Sequence, residues 1–208
     1  MGSIYTLIVR ESMEGVEIVK PVLAVILTLL LSVTAFGQQN VLVGLTYNVS
    51  FPTSDTKDFI DKTSFAGYGF EGRGFIKPSF SYGLYFGWNN FDDELNSGTN
   101  SEELRSLDVY PITLIFHYYF QPEARIAPYI GTGIGPYRID QRIKTSNLSP
   151  KKVRWHFGVA PDVGLRILLG SSVNALLSLK YHYAFKTDGA TFSSFGLNFG
   201  LAYALVTN

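Results

Sequence analysis

Three histidines, His117, His156 and His182, together with Ser178 and Asp162, are the residues of this 208-residue chain whose types could do chemistry. A serine, a histidine and an acid act as nucleophile, base and orienter when their side chains meet. The same residue types also serve as members of a satisfied interior polar network, and that reading is preferred here. The chain has no cysteine, which excludes disulfides, thiolate metal sites, cysteine nucleophiles and a lipidated N-terminal cysteine. An acidic run, Asp92-Asp93-Glu94 with Glu102-Glu103, offers oxygen ligands, but Gly98 stands at the wrong offset for a calcium loop of the EF-hand type. Gly131-Thr132-Gly133-Ile134-Gly135 has alternating glycines but no helix pattern after it, so it is not a phosphate loop. No cofactor and no metal are expected. Seventeen basic and seventeen acidic residues cancel, which removes the electrostatic case for nucleic acid.

The elements that must position these groups begin after an apolar N-terminal run. Pro21 to Phe36 is uninterrupted over 16 residues, short of the roughly 20 that span a bilayer as a helix. Lys20 precedes it, and Ala35-Phe36-Gly37 places small residues where a signal peptidase reads, ahead of Gln38-Gln39-Asn40. Residues 1–37 are expected to be a cleaved signal peptide, with Met13 as an alternative start, and residues 38–208 the mature domain. A transmembrane or buried helix is the competing reading of the run. Past it, no apolar stretch reaches helical membrane length, so insertion would have to be by strands.

From Gln38 on, the dominant period is two, the mark of strands with one apolar face. Phe80, Tyr82, Leu84, Phe86 and Trp88 share one face. So do Val41 to Phe51 at odd positions, Tyr110 to Phe120 at even ones, Trp155 to Ile167, Val173 to Phe185, and Phe195 to Leu205. Phe65 to Ile76 and Ile126 to Ile139 are interrupted by glycines, which mark bends or close approaches. Eight segments result, about the 9 to 11 residues of a tilted membrane strand. Their connections alternate. Long ones are Thr53 to Ser64, Asp92 to Ser106, Asp140 to Lys152 and Lys186 to Ser193; short ones are Lys77 to Ser79, Gln121 to Arg125 and Gly170 to Ser172. An even strand number with short periplasmic turns and long outer loops predicts an all-β, eight-stranded antiparallel up-and-down transmembrane barrel with both mature termini periplasmic.

Alternation does not say whether the apolar face points inward or out to lipid. Composition does. Only 16% of the residues are charged, against roughly 25% in soluble domains. Of the 34 charged residues, 18 fall in the long loops and eight in strands. Six of those eight have inward parity: Glu71, Arg73, Arg154, Asp162, Arg166 and Lys180; Asp108 and Arg138 sit at the rim. A cation facing mid-bilayer costs about 2–4 kcal/mol, so a bilayer selects this partition. With His156 and His182 the six form an expected lumen network, and His117 shares its parity. Aromatics gather beside the long loops as an interfacial girdle: Trp88, Phe91, Trp155, Phe157, Tyr181, Tyr183 and Phe185. Eight strands leave room inside for side chains only, so the lumen is expected to be filled. The turn at Gly170 to Ser172 sets Asp162 across from Lys180, an expected ion pair. A bulge at Pro161 would instead give Asp162 to Arg166 or Arg154.

Pro128-Tyr129-Ile130-Gly131-Thr132-Gly133-Ile134-Gly135, Gly158 to Arg166, and the closing Phe199-Gly200-Leu201-Ala202-Tyr203 resemble strands of small outer-membrane β-barrel proteins of the OmpA-like and OmpX-like class. The likeness covers residues 39 to 205. The final residues, Leu205-Val206-Thr207-Asn208, depart from the aromatic end typical of the family. The resemblance implies insertion by the barrel-assembly machinery into the outer membrane of a Gram-negative cell. It also implies contact with lipid and lipopolysaccharide, whose phosphates the acidic loop would repel or bridge through cations. The expected function is that of a non-enzymatic barrel that stiffens the membrane or binds an extracellular ligand through its loops. A lipid A-modifying barrel enzyme and a secreted lipocalin-like carrier are the alternatives.

Overall fold

The computed structural model describes residues 40–97, 101–144, 151–186 and 191–206; the expected signal peptide lies outside them. Among the described residues, eight strands follow one another: β1 (Asn40–Pro52), β2 (Ser64–Lys77), β3 (Phe80–Ser97), β4 (Ser101–Tyr119), β5 (Ile126–Lys144), β6 (Lys151–Leu168), β7 (Val173–Ala184) and β8 (Phe192–Val206). A single helix, α1 (Ser54–Phe59), interrupts the β1–β2 connection. Each strand pairs antiparallel with its neighbours in sequence, and β1 closes on β8 from Asn40↔Val206 to Pro52↔Ser194. Closure satisfies the backbone groups that an open sheet would leave at its edges.

The period of two places apolar residues outside. Leu45, Leu114, Ile130, Ile134, Val163 and Leu201 are exposed, while their neighbours in sequence point inward. On β7, Val173, Leu177 and Leu179 face out and Asn174, Ser178, Lys180 and His182 are buried. The wall is therefore inside-out relative to a soluble barrel. At Gly83 a β-carbon would lie 1.8 Å from the Gly72 carbonyl oxygen, so the β2–β3 approach admits only glycine there.

The strands are not of equal height. β3 to β6 run 18 or 19 residues, against 12 to 15 for the other four. β2 leaves β3 after Ala66↔Asn90 and β7 leaves β6 after Gly158↔Ala184, while β3–β4 pairing runs on to Ser97↔Ser101 and β5–β6 to Arg142↔Lys151. Most of the expected loops Asp92 to Ser106 and Asp140 to Lys152 are thus strand. These charged stretches lack the apolar alternation of a lipid-facing wall, and their ladders are held by cross-strand pairing above it. The extension leaves one half of the barrel taller than the other. Over the shorter half lies the β1–β2 segment, tied to the tall half by the Lys62–Asp93 ion pair at 3.0 Å and by Arg105 Nη1 donating to the Phe59 carbonyl at 3.1 Å.

Candidate functional site

The interior is a stack of side chains, built level by level from the inward positions of all eight strands. Nearest the short turns, Arg166 donates to the Pro122 carbonyl and lies over Phe75 and Tyr119, 5.5 and 5.1 Å from their ring centres. Leu42, Leu176 and Ala202 fill the adjoining wall, with Leu176 the cross-strand neighbour of Arg166 and Phe75 packed against the group. Above them, Arg73 and Glu71, i and i+2 on β2, meet at 2.8 Å, each only 2% exposed. The Arg73 guanidinium also donates to the Tyr119 hydroxyl at 2.8 Å and packs over Tyr129. His117 Nε2 lies 3.3 Å from Asp162 Oδ2. Gly131 makes that contact possible, since a β-carbon there would fall 2.3 Å from the His117 ring and 2.6 Å from Asp162 Oδ1.

Higher still, Asn48 donates to the Tyr85 hydroxyl at 2.9 Å, Ser50 to Asn89 Oδ1 at 3.1 Å, and the Tyr137 hydroxyl lies 3.0 Å from His182 Nδ1. A void of about 10 Å³ beside Glu71, Arg73 and Lys180 is the size of one water.

The structure places Glu71, Arg73, Asp162, Lys180, His156 and His182 on the inner face and buried; Arg154 and Arg166 have the same parity and are half-buried near the two ends. Asp162 and Lys180 are direct cross-strand partners. Their head groups do not pair: Lys180 Nζ lies 4.1 Å over the Tyr85 ring, and Asp162 turns to His117. A long lysine reaches past its cross-strand neighbour to an aromatic face, whereas the short aspartate meets only what the opposite wall presents.

Ser178, His182 and Asp162 do not converge. Four residues of strand separate Ser178 from His182 by about 13 Å, Ser178 accepts from Asn198 at 3.2 Å, and His182 is engaged with Tyr137. The nearer set is one the sequence reading missed. Ser81 lies directly across from His117, with Asp162 on the far side of the ring, but Ser81 is 0% exposed and its hydroxyl makes no bond to the histidine. The signal was there in the shared inward parity of Ser81 and His117, although only the register makes them neighbours.

Outside, Trp88, Trp155, Phe157 and Phe185 are exposed, with Tyr181 and Tyr183 half-buried beside them. Their rings touch in chains: Tyr183 lies 5.4 Å from Phe185, and Tyr68 stacks on Trp88 at 6.1 Å. Trp88 Nε1 donates to Asp108 at 3.2 Å, and Asp108 pairs across the strands with Asp140, which the outward-facing Arg138 clasps with two hydrogen bonds at 3.1 Å. Phe91 does not belong to this girdle. It is 0% exposed and has the parity of Tyr85 and Asn89, so it points inward. A second set of exposed aromatics on the outward stripes, Tyr118, Phe120 and Tyr203, lies toward the short-turn end.

At the long-loop end Phe91 joins Leu107, Val109, Ile139, Tyr137, Ala184 and Phe192 in one apolar cluster, closed from above by Ile60 and Phe59 of the β1–β2 segment. That segment is latched to the start of β8: the Thr191 hydroxyl and amide donate to Asp55 at 2.7 and 3.3 Å, and the Ser193 amide donates to Thr56 Oγ1 at 2.8 Å. These bonds hold the Asp55 carboxyl below its ordinary range, the Thr191 hydroxyl contributing most. Beneath the latch is a void of about 30 Å³, lined on one side by Phe59, Leu107 and Phe192 and on the other by Gln141, Arg154 and His156.

Comparison with curated proteins returns no significant match. Solved structures share the fold. Neisserial surface protein A aligns over 79% of this chain and 96% of its own at 11% identity, with a TM-score of 0.57. The outer membrane protein OprG from Pseudomonas aeruginosa aligns over 82% and 97% at 14% identity, with a TM-score of 0.56. Ail, the attachment invasion locus protein of Yersinia pestis, in complex with the heparin analogue sucrose octasulfate, aligns over 81% and 98% at 12% identity, with a TM-score of 0.52. The profile of the outer membrane protein beta-barrel domain matches residues 23–205, most of the chain and all eight strands up to the last residue of the β8 stripe, and the chain belongs to that family.

Proposed function

We propose that the protein is a non-enzymatic barrel of the outer membrane, closed to conduction, which strengthens the bilayer and presents its long-loop end for binding at the cell surface. One observation carries this reading: the interior is occupied at every level, from Arg166 through Arg73 and Glu71 to the Phe91 cluster, leaving at the site of the Glu71–Arg73 pair only a void the size of a water. Such a lumen serves stability rather than passage. The imidazole and carboxylate groups of the mid-barrel are engaged by other lumen groups, His117 by Asp162, His182 by Tyr137 and Glu71 by Arg73, and Ser178 does not meet a histidine, which argues against lipid A turnover.

In this reading residues 1–37 direct export, the barrel-assembly machinery inserts the strands, and both mature termini face the periplasm with the tall β3–β6 wall outside. The aromatic rings around Trp88 and Trp155 stand at the lipid interface, with Arg138 and Arg142 above them at the level of lipopolysaccharide phosphates. Planar-bilayer conductance tests the closed lumen. Silence is expected, and stable openings of porin size overturn the proposal. Protease cleavage within residues 53–63 on intact cells tests the sidedness.

A further inference from the structure

The four taller strands leave ladder edges above the level at which the barrel closes. β2 pairs with β3 only as far as Ala66↔Asn90, while β3 continues to Ser97. On β3 the odd positions bond to β4: the Tyr119 amide donates to the Ser79 carbonyl at 2.8 Å, and the same register runs on to Ser97↔Ser101. Backbone groups alternate sides along a strand. The N–H and C=O of Asp92, Glu94 and Asn96 therefore face the side that β2 has left. Among the described residues, no backbone bond from the β1–β2 segment reaches them. That segment touches β3 through the Lys62 side chain at Asp93, an odd position. Unpaired N–H and C=O groups in a row are a template for a further strand. Phe91 to Ser97 stand beyond Asn90, about 20 Å of strand, the reach of a peptide of about six residues.

Charge specifies what this edge accepts. Residues 91–108 carry Asp92, Asp93, Glu94, Glu102, Glu103 and Asp108 against a single base, Arg105. Asp93 is paired with Lys62, but Asp92 is exposed, as is Asp58 on the neighbouring segment. Glu94 follows Asp92 at the spacing at which an added strand presents the side chains of one face.

A second copy does not meet these requirements. Copies in one bilayer share an orientation, so two β3 edges would meet parallel, with acid beside acid. The other free edge, at β6 with Lys151 and Lys152, has the opposite charge and runs antiparallel to β3. Yet β3 to β6 make half the circuit of eight strands, so both edges turn inward over the shorter half of their own barrel. A strand anchored in a neighbouring barrel does not reach there; a separate peptide does. We propose that the upper edge of β3 takes up an extended cationic peptide as an added antiparallel strand, in the place beside β3 that β2 holds lower down. Its backbone bonds to Asp92, Glu94 and Asn96, and its lysine or arginine side chains are set against Asp92 and Glu94. Backbone pairing supplies affinity and charge supplies selectivity. This names the partner class of the long-loop end and rests on the reading that this end meets the exterior.

The test uses the full protein in phosphatidylcholine nanodiscs, with empty nanodiscs as blank and the capped peptide Lys-Val-Lys-Val-Lys-Val-Lys as probe. Saturable binding that weakens with salt is expected, and the counterpart with Glu for every Lys is expected not to bind. Amide exchange of the complex reads the ladder: the Asp92, Glu94 and Asn96 amides gain protection, and those of Asp93 and Leu95 are unchanged. Proline has no amide to donate, and at an even position of β3 it leaves the β4 ladder whole. Glu94→Gln is expected to weaken binding about threefold through charge, and Glu94→Pro about tenfold or more, since it removes an edge donor as well. No saturable binding, equal binding of the Glu peptide, protection at Lys151, Val153 and Trp155 in place of β3, or a Glu94→Pro loss no larger than that of Glu94→Gln each overturn the proposal. Heat-modifiable migration of each variant reports the barrel independently. Nanodiscs leave both ends of the barrel open to the peptide, so absent binding there counts against the edge. Binding there, with residues 53–63 protected from protease on intact cells, counts against the outward reading instead.

Discussion

Midway along the barrel, Glu71 and Arg73 meet at 2.8 Å with 2% of each side chain exposed, and His117 and Asp162 meet beside them; at the long-loop end, the interior is instead Phe91, Leu107, Val109, Ile139 and Phe192 packed under Ile60. Charge thus sits where water is scarcest, and oil-like packing where water is closest. In mid-barrel the wall spends its apolar residues on the outer face, so the inner face must be polar. Paired charges and tyrosine hydroxyls then satisfy one another across the lumen. Above that level β3 to β6 rise without β2 and β7, and their inner apolar residues need a cover that the β1–β2 segment supplies. The ladder holds the first region in place. The second depends on the β1–β2 segment that covers it.

The largest effect is expected from breaking the charged region. Glu71→Gln leaves the Arg73 guanidinium buried without its counter-charge and should cost about 3–5 kcal/mol in urea-dependent refolding into vesicles. Glu71→Met with Arg73→Met should recover most of that loss; a double variant as unstable as the single one would show that the pair itself, and not its imbalance, holds the lumen together. In the covered region, Leu107→Ala should cost toward the lower end of the about 2–5 kcal/mol span for such truncations, because the lid can settle into the space. Faster proteolysis within residues 53–63, with unchanged heat-modifiable migration, is the accompanying signature. The smallest effect is on the latch. The carboxyl of Asp55 is depressed, chiefly by the Thr191 hydroxyl, so its contribution is complete above the ordinary carboxylate range and is lost as pH falls through the depressed value. Amide exchange in residues 53–63 should therefore rise only in strong acid, below pH 3.8, and Asp55→Asn should abolish the step. A lid that loosens equally with and without Asp55 would assign its closure to Phe59 and Ile60 alone.

The parity of each strand was legible because it is a local property. Phe80 to Trp88 at even positions and Val41 to Phe51 at odd ones fall outside as their spacing requires. The Asp162↔Lys180 register was also legible, since a tight turn at Gly170 to Ser172 counts residues symmetrically on both sides. Phe91 went wrong through its company rather than its position: an aromatic beside the long loop looks like a girdle residue, while its own odd number puts it inside. The extension of β3 to β6 was hidden because Asp92 to Glu94 and Asp140 to Lys144 read as solvated loop. Their strand conformation comes from cross-strand ladders such as Asp93↔Arg105 and Asp140↔Val153, which no single segment reveals.

The sequence by itself determined the number of strands, the face each residue takes and the outward position of the apolar stripes, because a period of two and a short turn act over a few residues. Only the tertiary structure decided which inward groups meet. Asp162 chose His117 over Lys180, Ser81 came to lie opposite His117, and Phe59 came to lie over Leu107, because contacts across a lumen are set by closure and strand height together, and these are properties of the whole circuit of eight strands.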